Sequence, residues 1–420
     1  MNLHLNNYAS MAASWKTGET PSMWQRVTAI AVTGTLIVLN DMQNTEAFLA
    51  FSRSTCRTLL PFGRGFIDGT GYQHVINSIT DPNMPRMFQM GANGGTEACF
   101  DPSMVIFQSS GTPEHSQSRR LWDDAVMSSM HLGDLPDLGN TSARGWMRRM
   151  RDRVGWKLPT EDEVGALIVP LLLERIWGKK PTAKEAETVA GYLSVGKVCI
   201  FGGMADSIPF LPSMIAAVRT AHVDFARDSP TADKLVKLLE EPGFAAVQKL
   251  YQSRGRPIRD VAVQGLADAT MFAGVLGTTD MTFKCVKYTW QDPKHLRLFR
   301  EKPTEYIWEL MRVQAAVQGV SSVSTKARDD HMAGEEVHFP AGTPVAYSVS
   351  IANRDPIMFS KPSDMDFQRP WSEMGEMLSW NGRLKDVIAR NYTGAPRFCP
   401  GHDLSVKLAA HVCAHLTRNL

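Results

Sequence analysis

Ala395-Pro396-Arg397-Phe398-Cys399-Pro400-Gly401-His402-Asp403-Leu404 sets a thiol in a loop bounded by proline and glycine, just before an apolar-periodic stretch, Leu404–Leu416. Three things favour the ionised thiol there: backbone N–H donors, the positive end of a helix dipole, and the Arg397 cation two residues upstream. A thiolate so held is placed to bind a metal. A Cys-Pro-Gly turn with an inert thiol has the same local sequence, so the other constellations decide. His115 and Arg119 lie four apart in Pro113–Trp122 and share one face of a helix, where both reach a single anion or form a solvated charged face. Phe272-Ala273-Gly274-Val275-Leu276-Gly277-Thr278-Thr279 falls inside a long helical pattern from about Ile258 to Trp290. Glu309 and Arg312 place opposite charges one helical turn apart.

The elements that must position these residues are mainly helical. Glu163–Trp177, Thr182–Leu193, Pro212–Phe225 and Asp233–Tyr251 repeat apolar residues at three and four, which predicts four helices. Val27–Leu39 is a β-branched run broken at Thr33-Gly34, the pattern of a hairpin, with a helix following over Asn40–Ser52. Thr55–Thr112 is rich in Gly, Pro, Asn and Ser and reads as irregular chain covering a substrate. Within it, Gly91–Gly95 lacks the lysine and the strand-to-helix setting of a phosphate loop. The basic stretch Arg144–Lys157 predicts a solvated helix, with docking of an acidic electron donor as the alternative.

Composition narrows the class. The 420 residues suffice for two or three average domains or one large helical enzyme domain. With 45 basic and 43 acidic residues the formal charge is +2, which gives no electrostatic case for a nucleic-acid partner. Six cysteines (Cys56, Cys99, Cys199, Cys285, Cys399, Cys413) show no C-x-x-C spacing, which fits a reducing compartment and argues against structural zinc. No run of eighteen apolar residues occurs, and Met1–Trp15 lacks the basic start of a signal. A cytoplasmic enzyme without a membrane anchor is expected.

Taken together, these motifs resemble cytochrome P450, the haem-thiolate family, whose cysteine loop runs roughly aromatic-x-x-Gly-x-Arg-x-Cys-x-Gly. Arg397, Cys399 and Gly401 stand in register; Tyr392 takes the aromatic position, and the glycine is displaced to Gly394, with Ala395 in its place. The resemblance implies a mainly α fold with a small β portion as a single domain over residues 1–420. Its β-rich N-terminal portion would span about 20–60 and its helical haem-binding core about 113–420. The cofactor implied is haem b, its iron held by Cys399. Arg397, beside that ligand, also binds the cofactor, His115 and Arg119 hold one propionate, and Lys326 or Arg328 meets the second. Glu309, Arg312 and Arg369 form the family's buried ion-pair network, and Phe339–Val345 carries its Pro-x-Gly turn before a strand.

In that family the helix crossing the haem carries Ala/Gly-Gly-x-Asp/Glu-Thr, an acid and an alcohol that deliver protons. Counting back from Gln291-Asp292-Pro293, Ala273 and Gly274 take the small positions, Leu276 the acid and Gly277 the alcohol, with Thr278 one residue late. The relay is then missing, unless a bulge swings Thr278 into place. Met377-Leu378-Ser379-Trp380-Asn381-Gly382, followed by Cys399–Leu404, is similar to the allene oxide synthase and hydroperoxide lyase branch, which also lacks the relay. His402 replaces that branch's lysine. The resemblance therefore implies a haem-thiolate enzyme for a small hydrophobic, lipid-like substrate that uses peroxide or rearranges a hydroperoxide, oxylipin chemistry of a lyase kind. The alternatives it leaves are an oxygen- and NAD(P)H-dependent monooxygenase served by an electron-donating redox protein, and a non-catalytic haem binder or sensor.

Overall fold

A computed structural model describes residues 71–83, 101, 103–127, 158–193, 211–317, 319–323, 326–332, 335–339, 344–418 and 420. The hairpin and helix expected over Val27–Ser52, the loop Gly91–Gly95, the basic stretch Arg144–Lys157 and the turn at 340–342 lie outside these residues. The chain divides into two compact units. One takes in Met1–Ser116, Lys197–Ile215 and Arg312–Cys399; the other takes in Gln117–Gly196, Ala216–Met311 and Pro400–Leu420.

Helices build the second unit. Glu161–Trp177 opens on a capping box: Thr160 Oγ1 accepts the Glu163 N–H at 3.3 Å while the Glu163 carboxylate accepts the Thr160 N–H at 2.7 Å. It closes at Gly178, whose φ of 65° satisfies the last turn without a Cβ clash. Thr182 and Glu185 cap Ala183–Ala190 in the same way. Leu211–Arg227 follows as predicted. Asp233–Tyr251, read from its periodicity as one helix, is two: Pro230–Leu239 and Ala245–Gln252, separated by the 3-10 turn Pro242–Phe244. Pro242 cannot donate to the preceding turn, and a Cβ on Gly243 would stand 2.3 Å from the Arg120 guanidinium, so the chain breaks there. Gln117 Oε1 then accepts the free Ala246 and Val247 amides at 2.8 and 3.1 Å.

The long helix runs Ile258–Ala269, Thr270–Gly277 and Thr278–Gln291, the middle segment wound as a π-helix, and it stops at Asp292, where Pro293 opens the next helix. Glu161–Trp177 packs tightly on it: a Cβ on Gly274 would lie 3.0 Å from Leu172 Cδ2, and one on Gly165 3.2 Å from Thr279 Cγ2. His402–Leu416 packs on its later half, where the Thr289 hydroxyl and Cys413 Sγ are 3.5 Å apart. Ile258–Gln291 is long and apolar enough to cross a bilayer, but 71% of its most apolar window is buried inside the protein, as in a core helix.

Among the described residues, three antiparallel strand pairs belong to the first unit: β1 (Gly319–Val323) with β4 (Pro344–Ser348), β2 (Arg328–Met332) with β3 (Glu335–Phe339), and the short β5 (Leu378–Ser379) with β6 (Gly382–Arg383). Gly71–Thr80, in a region expected to be irregular, is a helix. Its Tyr72, Val75, Ile76 and Ile79 recur at helical spacing and are buried. Tyr72 ties it down: its N–H donates to Asp355 Oδ2 at 3.0 Å and its hydroxyl to the Glu376 carboxylate at 2.9 Å. Burial and the Glu376 charge push that phenol's pKa well up.

Candidate functional site

Short-range backbone geometry builds the cysteine loop. Between β5 and β6, Trp380 and Asn381 both adopt left-handed backbone (φ 56° and 60°), the two-residue turn that matches strand twist. That turn presents the Trp380 carbonyl to the chain nineteen residues on, and the Cys399 N–H donates to it at 2.6 Å. Gly382 must be glycine, because a Cβ there would lie 2.7 Å from the Cβ of Ala395. Phe398, Ala395 and Val387 form a buried cluster against which Trp380 packs. Tyr392, matched to the family's aromatic position, is 41% exposed, its ring centroid 4.9 Å from that of Phe398. Trp380, already part of the segment Met377–Gly382 singled out in the sequence, is the aromatic residue whose backbone meets the cysteine.

Cys399 itself is partly exposed. The other described thiols differ: burial pushes Cys413 up to about 12 and Cys285 well above the usual thiol range, so both stay protonated and inert. Arg397 is buried and directs its guanidinium to the Ile106 carbonyl at 3.3 Å and to the Gln108 carbonyl, pinning the loop to the turn Val105–Phe107. Among the described residues no group of three or more His, Cys, Asp or Glu side chains could hold a metal ion.

The expected ion-pair residues are buried, with partners that sequence reasoning did not name. Arg312 donates to the carbonyls of Asn353 and Pro362, both at 2.7 Å, and of Asp364 at 2.8 Å. Arg369 reaches the same turn through the Ser360 carbonyl at 2.6 Å and pairs with Glu373 at 2.5 Å. That pairing, with the Ser360 hydrogen bonds, holds Glu373 below the usual carboxylate range even though partial desolvation, the largest single influence, opposes it. Both guanidinium groups lie over the Phe359 ring, at 5.2 and 5.9 Å. Glu309 is fully buried one turn before Arg312.

His115 and Arg119 both sit on the helix Pro113–Ala125 and are 3% and 6% exposed, which removes the solvated-face alternative. Lys326 is exposed just before β2, and Arg328 is the first residue of that strand. On the long helix, Ala273 is exposed and Gly274 and Gly277 are half-exposed, whereas Leu276, Thr278 and Thr279 are buried. Among the described residues, no atom outside its chain neighbours and its own helix backbone stands within 4 Å of where a Cβ on Gly277 would be. The bulge that could re-aim Thr278 is present as the π segment, but it ends at Gly277, so the count from Pro293 back to Thr278 runs through regular helix. Thr270, Thr282 and Thr289 each donate to the carbonyl four residues back. Thr279, two residues past the widened turn, finds no acceptor for its buried hydroxyl.

No family model matches the chain. A Mycobacterium tuberculosis protein assigned as cytochrome P450 140 is 25% identical over 154 residues, 36% of this chain and 32% of the relative, so the match spans about a third of the length of its curated relatives. The solved structure of cytochrome P450 CREJ matches 83% of the chain and 82% of its own at 16% identity, with a TM-score of 0.57. Open cytochrome P450 Eryk from S. erythraea matches 83% and 80% at 20% identity, with a TM-score of 0.55. A mainly helical chain with a small β portion and its cysteine loop, aligned with such structures over four fifths of its length, has the fold of the cytochromes P450.

Proposed function

We propose that the chain is a haem-thiolate enzyme that draws on a peroxide or a lipid hydroperoxide and acts on a small hydrophobic, lipid-like substrate. Proteins of this fold carry haem b on a cysteine thiolate. The residues present fit that group. Cys399 is a partly exposed thiol in a loop held by its own backbone hydrogen bonds, the kind of single thiolate that a haem iron takes as a protein ligand. Cys399 would supply the thiolate to the iron, His115 and Arg119 would hold one propionate, and Lys326 or Arg328 would hold the other.

Haem on a thiolate supplies cleavage of an O–O bond, because the thiolate pushes electron density onto iron. The observation that carries the oxidant reading is the exposed side of the π segment. It offers a methyl group and glycine hydrogens from Ala273, Gly274 and Gly277, none of which holds or passes a proton. Reductive activation of dioxygen needs proton delivery to its distal oxygen. A hydroperoxide arrives with its O–O bond made and both reducing electrons in place, so it needs neither the relay nor an electron donor. The segment Leu378–Gly382, whose turn contacts Cys399, is also where the sequence is similar to the allene oxide synthase and hydroperoxide lyase branch.

Anaerobic mixing of the ferric protein with a polyunsaturated fatty-acid hydroperoxide tests this reading. Fast loss of the conjugated diene with a defined product mass is expected without reductase. Bleaching alone, with tightly coupled NAD(P)H-driven hydroxylation, would establish the monooxygenase instead. That second reading is favoured by Thr278, one residue from the alcohol position, and it requires an electron-donating redox protein.

A further inference from the structure

The twelve residues Arg383–Gly394 separate the β5–β6 turn from the cysteine loop, and they are knotted on one carboxylate. Asp386, on the short helix Leu384–Ile388, is 6% exposed. Arg383 Nε donates to its Oδ2 at 2.6 Å and Asn391 Nδ2 to its Oδ1 at 2.9 Å. The Asn391 N–H donates to the Asp386 carbonyl at 2.9 Å. Asn391 passes the geometry forward: its Oδ1 accepts the Gly394 N–H at 3.0 Å and its carbonyl the Ala395 N–H at 2.9 Å. The Ala395 carbonyl then accepts the Phe398 N–H at 3.1 Å, and the next amide, that of Cys399, closes on Trp380. Gly394 lies so close to this knot that a Cβ there would stand 2.6 Å from Asn391 Nδ2 and 2.7 Å from Asp386 Oδ1.

A free insertion of this length would let the thiol wander, since closing a twelve-residue loop leaves many backbone conformations accessible. Here an unbroken run of hydrogen bonds connects a buried charge to the residue before Cys399. We propose that Asp386 is a positioning residue for Cys399, acting through Asn391 to hold the thiol in one place whether or not a cofactor is bound. The proposal rests on Cys399 being the ligand only for its functional consequence; the fixing of the loop stands by itself.

The test uses the full-length protein with Asp386→Asn, Asn391→Ala and, as a control, Thr393→Ala, an exposed residue of the same loop. Iodoacetamide labelling of Cys399 in haem-free protein is followed at the peptide level. In parallel, decay of the thiolate-type Soret band of the reduced carbon-monoxide form is followed in mild denaturant. Both rates should rise about tenfold in Asp386→Asn and Asn391→Ala, the change expected from losing one hydrogen bond to a charged partner. Thr393→Ala should leave them alone. Asn391 is exposed, so its variant keeps the test open if Asp386→Asn misfolds. Unchanged labelling of Cys399 in a folded Asn391→Ala protein would overturn the proposal. A wild-type protein without the thiolate band would instead overturn the ligand reading, leaving the labelling rates to decide the loop.

Discussion

The cysteine loop and the π segment of the long helix are built on opposite principles. Around Cys399 the amides of Asn391, Tyr392, Gly394, Ala395, Phe398 and Cys399 each have an intramolecular acceptor, the non-glycine residues Trp380, Asn381 and Arg390 are held at left-handed backbone, and a buried arginine fastens the loop elsewhere in its unit. Such strain persists only where surrounding contacts over-determine it. The segment Thr270–Gly277 gives up regular α-helical bonding, and its exposed side carries no polar side chain. If Cys399 is the proposed metal ligand, the concentrated polar contacts give it one geometry; if the π segment admits a reactant, its small residues on a widened turn give room.

The sharpest way to break this contrast is at the thiol. Cys399→Ser should abolish the red-shifted Soret band of the reduced carbon-monoxide form, while Cys413→Ser, at a buried protonated thiol, should keep it. Retention of the band in Cys399→Ser removes the ligand assignment.

Next in size is the scaffold behind the loop. Arg312 is fully buried and satisfies three carbonyls, so Arg312→Ala should destabilise the protein by about 3–5 kcal/mol, as when one member of a buried charged network is lost. Equilibrium denaturation measures it; a loss within that of a typical surface change would mean the carbonyls find water. Arg119→Ala should act on cofactor retention instead, weakening it by about 1.5–3 kcal/mol. Unchanged haem occupancy after gel filtration would free Arg119 from the propionate role.

How much of this was legible depended on range. Arg397-x-Cys399, Glu309-x-x-Arg312 and the helix end at Asp292-Pro293 declare themselves within a few residues, because caps, prolines and i,i+3 charges act locally. The break at Pro242-Gly243 was equally local, but a strong apolar period across Asp233–Tyr251 concealed it. The π winding of Thr270–Gly277 leaves no residue-type signature, since it changes which carbonyl each amide reaches and not which side chains are present. The roles of Trp380 and Asp386 were out of reach for another reason: they come from hydrogen bonds that exist only after the hairpin and insertion have folded back on the loop.

The second unit has its own pH sensitivity. His222 is fully buried, and desolvation lowers its pKa from 6.5 to about 3; it accepts a hydrogen bond from Trp177 Nε1 at 2.9 Å as the neutral ring. The folded state thus binds fewer protons than the unfolded one. Its contribution is complete above pH 6.5 and is lost as pH falls toward about 3, at about 1.4 kcal/mol per pH unit. Denaturation midpoints near neutral pH and near pH 5 should differ accordingly. His222→Gln, which can still accept from Trp177, should flatten the difference; an equal slope in the variant would assign the acid sensitivity to other groups.

The smallest expected effect bears most directly on the contrast. If the π segment is bare because no proton carrier stands at Gly277, then supplying one should move the chemistry. Among the described residues a Cβ at Gly277 meets no atom within 4 Å outside its chain neighbours and its own helix backbone, and Thr is a better helix residue than Gly, so Gly277→Thr should change stability by less than about 1 kcal/mol. Gly274→Thr is the steric counterpart: its Cβ would press on Leu172 at 3.0 Å, and overpacking should cost about 1–3 kcal/mol. With a hydroxyl at 277, a reductase-supported reaction should couple electron use to product several-fold better than the wild type, while hydroperoxide turnover stays near its original rate. A rise in coupling from Gly277→Thr but none from Gly274→Thr would show that the missing alcohol, and not the width of the helix, sets the choice of oxidant. Equal coupling in wild type and Gly277→Thr would mean that Thr278 already serves, and the bare surface would then be a substrate wall.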